Sequence, residues 1–215
     1  MKRPFNLLLS ALLLLCAAPS ISAQAPVQSL AGFVFANAIG IKDKADITAN
    51  GKKLTTNGVA PGIASSGLGL PVGSYQLQVT APGCETVNAP IQLTVGITPI
   101  VIAYLERVTD PKTNITKNFI RLLQFPAEPQ AEKYVLKALS VDPTGQFNVT
   151  VGGQTQIAQF RKPTPLDGKK IKVTDTTGSS DEAAADEKGS YYSVLFRKVD
   201  GKPAIILIPE RIYQW

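Results

Sequence analysis

The chain has 215 residues, two cysteines, no histidine and a formal charge of +6. Without histidine, Ser-His-Asp and Cys-His nucleophiles are excluded, together with the usual zinc ligand sets. Aromatic residues make up 7%, against 17 glycines and 16 prolines, the balance of a turn-rich, all-β chain.

Lys2 and Arg3 precede an apolar run from Leu7 to Ala18, interrupted by Ser10, and Ile21-Ser22-Ala23 follows. This is the layout of a secretory signal peptide over residues 1–23, and the run falls short of the roughly 20 residues a membrane span needs. The sequence therefore predicts an exported protein, periplasmic or extracellular, beginning at Gln24 and lacking a transmembrane segment in the mature chain. The alternatives are an uncleaved anchor and a lipid anchor at Cys16. Leu15 argues against the second, because lipoprotein signals carry a small residue there. Loss of Lys2 and Arg3 leaves 20 basic side chains against 16 acidic ones, a net charge of +4, which is weak support for an anionic partner. Cys84 is then alone, so no intrachain disulfide forms and burial must hold the fold.

Phe33 to Ala38 is the first expected strand. Asp46 to Ala49 and Lys52 to Thr55 flank Asn50-Gly51, the pair that a two-residue type I′ hairpin favours. Gly58 to Gly69 reads as loop. Pro71-Val72-Gly73 turns into Ser74 to Thr80, where Tyr75, Leu77 and Val79 alternate with Gln76, Gln78 and Thr80. That period of two marks a strand with one face in a core. Ile91, Leu93 and Val95 alternate in the same way. Ile100 to Leu105 is apolar throughout, so it should be a central strand covered on both faces. The polar stretch from Thr109 to Asn114 places a boundary near residue 113. Two β-sandwich domains follow, over residues 24–113 and 114–215. In the second, Phe119 to Gln124 is matched to FVFANA. Tyr134 to Leu139 follows, FNVTVGG answers DITANG, TPLDGKKIKV answers LPVGSYQLQV, and SYYSVLF answers TPIVIAY. Two copies of one supersecondary plan are expected.

No phosphate loop, dinucleotide fingerprint or EF-hand spacing is present. Cys84 lies in an APGCE turn without a visible base, which suits a loop residue better than a nucleophile. Asp181, Glu182, Asp186 and Glu187 fall in residues 179–189, expected to be a mobile acidic loop. Carboxylates there suit calcium, but their spacing matches no cage, so neither metal nor cofactor is expected. Arg161, Lys162, Lys169, Lys170 and Lys172 cluster around one turn and are the candidate contacts for an anionic ligand. The competing reading is a strand edge kept soluble by lysines. The closing Tyr213-Gln214-Trp215 would suit an outer-membrane barrel, but Pro209 and Arg211 break the alternation that barrels require.

FVFANA at 33–38, DITANG at 46–51, LPVGSYQLQV at 70–79 and IQLTVGITPIVIAYL at 91–105 resemble the bacterial envelope family called domain of unknown function 4397. PVGSYQLQVTAPG is similar to PEGA-type carbohydrate-surface domains as well. Either resemblance implies an immunoglobulin-like antiparallel β-sandwich and a non-catalytic exported module, and supplies no functional residue. The expected function is a binding or scaffolding module of the cell envelope. Its partner would be another envelope protein or a glycan, not a nucleic acid. Recognition of an anionic polymer through the basic turn is the first alternative, and a histidine-free hydrolase the second.

Overall fold

The computed structural model describes residues 29–129 and 132–213; the expected signal peptide and the new start at Gln24 lie outside the described residues. Those residues form strands and no helix. The first eight strands are β1 (Leu30–Ala38), β2 (Asp46–Ala49), β3 (Lys52–Lys53), β4 (Leu68–Pro71), β5 (Gly73–Thr80), β6 (Val87–Leu93), β7 (Pro99–Thr109) and β8 (Thr116–Pro126). The second eight are β9 (Tyr134–Ser140), β10 (Phe147–Val151), β11 (Gln154–Ile157), β12 (Thr164–Asp167), β13 (Lys170–Asp175), β14 (Ser180–Ala184), β15 (Gly189–Arg197) and β16 (Pro203–Pro209).

Each set folds into two four-stranded sheets. The first gives β4-β1-β7-β8 and β3-β2-β5-β6; the second gives β12-β9-β15-β16 and β11-β10-β13-β14. Adding eight to every strand number of the first set reproduces the second, so the two sandwiches share one topology. Both contain a single parallel pair, β1 with β7 and β9 with β15, and every other ladder is antiparallel. A parallel pair needs a long crossover, and here the crossover runs through the opposite sheet and, at β4 or β12, along the edge of its own.

The local signals behave as their chemistry requires. Asn50 and Gly51 have φ of 47° and 78°, and Gly152 and Gly153 have 57° and 82°, the positive values that a type I′ turn needs. In β5, Leu77 and Val79 are buried while Gln76 and Gln78 face water. Ile91 and Leu93 continue that core, but Val95 sits in the β6–β7 turn and is exposed.

Three cores stack across four sheets. Phe33, Phe35, Ile47, Leu77, Val79, Leu93 and Val101 fill the first sandwich. Leu136, Phe147, Val149, Ile171, Val173 and Leu195 fill the second. Between the sandwiches lies a third core, built from Val34, Ala36, Ile100, Ile102, Tyr104, Leu139, Tyr192, Val194, Phe196, Ile206 and Ile208. Strands β1, β7 and β15 therefore carry apolar side chains on both faces. Full burial of one such side chain contributes about 1.5–3 kcal/mol, so the seam is as apolar as either interior. Ring stacking of Phe125 on Tyr192, centroids 5.1 Å apart, belongs to this seam.

Strand pairing moves the expected division at residue 113. That residue lies in the β7–β8 turn, and β8 pairs with β7 from Pro99↔Pro126 to Thr109↔Thr116. The first sandwich thus runs through Pro126. Phe119 to Gln124 belongs to β8 and is not the counterpart of FVFANA; that counterpart is β9 with the residue after it. Asn37 bonds Ile63 and Gly62 through its backbone, as Ser140 bonds Gln159 and Arg161. The expected mobile loop at 179–189 is also corrected. Ser180–Ala184 is β14, paired with β13, and Asp181 accepts a bond of 3.2 Å from the Ile205 amide. An edge strand of small and acidic residues, Ser-Asp-Glu-Ala-Ala, has no apolar run to reveal it.

Candidate functional site

The five candidate cations do not converge. Arg161 (φ 59°) leaves the second sandwich and lies over the Tyr104 and Phe160 rings, 5.1 and 4.5 Å from their centroids. It is 3.9 Å from Glu106, so it bridges the two sandwiches. Lys162 is exposed beside it. Lys169 lies 5.7 Å above the Tyr134 ring. Lys170 and Lys172 project from β13 on the outer sheet, and Lys172 is 3.7 Å from Glu182. An exposed pair of that kind is worth about 0–1 kcal/mol, but it offsets half of the local charge of that strand.

A cleft lies where the same ends of both sandwiches meet. It has two adjoining lobes of about 200 Å³ each. Gly40, Phe196, Lys198 and Val199 line both lobes. Ala38, Ile39, Leu105 and Val141 complete an apolar floor under the larger lobe. Three cations stand around it: Lys42 after β1, Arg107 on β7 and Lys198 after β15. All three are exposed, and none forms an ion pair among the described residues. Gly40 has φ of 74°, and a Cβ there would lie 2.2 Å from the Arg197 carbonyl oxygen. Glycine is therefore what lets the two sandwiches close at this point.

Beneath the cleft, Arg197 is held by two carboxylates and a backbone carbonyl. Its Nε donates to Asp142 at 2.9 Å, and its Nη1 donates to Asp175 at 2.7 Å and to the Gly201 carbonyl at 2.9 Å. The Thr177 hydroxyl and then Arg197 hold the Asp175 carboxyl down at about 2, and Asp175 in turn raises Arg197. This network fixes the floor of the cleft.

At the opposite end of the seam, Lys137 bonds Glu210 at 3.0 Å and Glu128 at 3.2 Å. The Glu210 side chain is fully buried. Its second oxygen, Oε2, has no hydrogen-bond partner among the described residues. Burial, then Glu210 and Glu128, push the Tyr192 hydroxyl well above the ordinary tyrosine value.

Cys84 is half-buried in the β5–β6 turn, and burial raises its thiol, the direction that lowers nucleophilicity at neutral pH. The four acidic residues of 179–189 are dispersed: Glu182 meets Lys172, Glu187 meets Arg211, Asp181 bonds Ile205, and Asp186 is exposed. Among the described residues no group of three or more Cys, Asp or Glu side chains could hold a metal ion. No helix among them is long and apolar enough to cross a membrane.

Sequence reasoning missed Lys42, Arg107 and Lys198. They are more than fifty residues apart in the chain, and no local pattern connects them; only the seam brings them to one opening. No protein-family model and no curated protein matches the chain.

Proposed function

We propose that this protein is an exported, non-catalytic binding or scaffolding module of the cell envelope. The observation that carries the reading is the seam core. Apolar side chains on both faces of β1, β7 and β15 weld two small sandwiches into one block. Such a block holds its end loops at fixed separation, and loops on a rigid frame are where sandwich proteins make contacts. The apolar residues supply rigidity, and Asp175, Arg197 and Tyr192, three of the titratable residues with shifted values, are engaged in structural contacts. The basic turn supports polymer recognition less well, because its members point to different parts of the surface.

The test uses purified mature protein in two assays. Surface plasmon resonance over envelope glycans, anionic polymers and envelope protein fractions should give saturable binding to one class. A broad panel of ester, glycoside, peptide and phosphate substrates should give no turnover. Turnover on any of them that survives re-purification overturns the reading.

A further inference from the structure

The seam cleft has a defined chemistry. Ala38, Ile39, Val141 and Phe196 lie under it and are only 1–3% exposed, so the apolar surface open to a ligand is Ile41, Pro61, Leu105 and Val199, beside the polar side chains of Asp142, Thr144 and Arg197. Its rim carries Lys42, Arg107 and Lys198, none in an ion pair among the described residues, with Asp200, itself paired to Lys202, acting on Lys198 through space. The acid that lines it, Asp142, is bonded to Arg197 at 2.9 Å. The potential at the opening is therefore positive, and low-dielectric walls concentrate it.

Two lobes share one wall, and each is smaller than the 300–1,000 Å³ usual for a drug-sized ligand. Each is of side-chain size. The arrangement suits a chain passing across the seam with one apolar side chain in each lobe and acidic groups on the rim. A sugar polymer is the poorer fit to the second lobe, where ring hydroxyls would lie against Ile41, Pro61 and Val199, which offer no side-chain hydrogen bonds, and unpaired buried hydroxyls are costly.

We propose that the seam cleft binds an extended segment of another protein in which acidic residues alternate with aliphatic ones. This rests on the reading of the protein as a binding module and supplies the class of partner. The carboxylates meet Lys42, Arg107 and Lys198. The aliphatic side chains cover Ile41, Pro61 and Val199, the last 56% exposed in the free protein.

The experiment displays a random octapeptide library against four immobilised full-length proteins: wild type, Lys42→Gln/Arg107→Gln/Lys198→Gln, Val199→Asp, and Lys169→Gln/Lys170→Gln/Lys172→Gln. The last loses equal charge away from the cleft, so it separates a site from net charge. All changes are at exposed positions. Wild type and the basic-turn variant should enrich peptides alternating Asp or Glu with Val, Ile or Leu. Affinity of the enriched peptides should fall about tenfold in the rim variant, the sum expected of three modest ion pairs. It should fall as well in Val199→Asp, and weaken with salt as the Debye length shortens.

No acidic-aliphatic enrichment, or equal affinity in the rim and basic-turn variants, overturns the inference. Soluble polygalacturonate serves as a second probe. If it binds wild type through the rim cations while the library yields nothing, the occupant is a polyanion and the peptide inference fails. If an envelope ligand from the panel above binds all four proteins equally, the binding-module reading stands and the cleft is not its site. If neither library nor panel binds, both readings fall.

Discussion

Ile102→Ala tests whether the two sandwiches form one cooperative unit. Ile102 is fully buried, and it belongs to the seam rather than to the interior of its own sandwich. Truncating a buried isoleucine costs about 2–5 kcal/mol, the lost transfer energy plus the cavity left behind. For a chain of this size each kcal/mol lowers Tm by about 2–4 °C, so the expected fall is roughly 4–20 °C. Leu77→Ala, deep in the first sandwich, should cost a similar amount. The informative quantity is which sandwich opens. Cys84 is half-buried and can report the first sandwich by its rate of alkylation in urea. Ala158→Cys in a Cys84→Ser background reports the second, since Ala158 is buried in the core of that sandwich and a thiol there is reached only on opening. If the seam couples the halves, Ile102→Ala shifts both reporters to the same lower midpoint. Two separate midpoints, with only the Cys84 reporter moved, would falsify the coupling and restore two independent domains.

Gly40→Ala should destabilise the protein by at least about 1–3 kcal/mol, because the left-handed φ of 74° strains an L-residue and the new Cβ meets the Arg197 carbonyl; urea denaturation reads the loss. Lys137→Ala strips Glu210 of its cation and leaves a buried carboxylate, which should cost about 3–5 kcal/mol; replacing both by Met and Leu should recover most of it in the same assay. For Asp175 the folded carboxyl titrates near 2 against an ordinary 3.8. Its stabilisation is therefore complete above pH 3.8 and is lost as pH falls towards 2. Asp175→Asn should flatten the acid limb of a stability-versus-pH curve in that window, and an unchanged limb would remove the network from the account.

Alternation made β5, β6, β10 and β13 legible, because each has one face in a core and one in water. The Asn50-Gly51 turn was legible from its backbone demands alone. Ile100 to Leu105 announced a strand covered on both faces, and it is covered. What covers it was not legible, since an apolar face does not name its partner. The second sandwich supplies the cover through Tyr192, Val194 and Phe196. The division at residue 113 failed for a related reason. Asp110 accepts amides from Lys112 and Thr113 at 2.7 and 3.4 Å, and Asn114 has φ of 55°. That is the chemistry of a hairpin turn, and a linker would be written in the same residues. The acidic segment hid β14 because an edge strand needs little apolar surface. The cleft cations were invisible because three distant lysine or arginine residues look like any solvated surface until the seam closes.

The outer faces explain why the stack stops at four sheets. A sandwich with central strands apolar on both sides must be covered on its second face, or it exposes a patch that invites association. Here the duplicated unit covers that face with its own copy. The remaining two sheets end the stack, because their outward residues are polar: Ser74, Gln76, Gln78, Asn88 and Gln92 on one side, Asn148, Thr155, Lys170 and Lys172 on the other. Leu77 and Gln78 are adjacent in one strand yet serve opposite ends of this logic, one filling a core and the other closing the stack against water. The same sequence period that sets the strands thus gives the stack its polar outer faces. It leaves the seam opening, where the two copies meet without meshing fully, as the concave surface between two otherwise self-covered units.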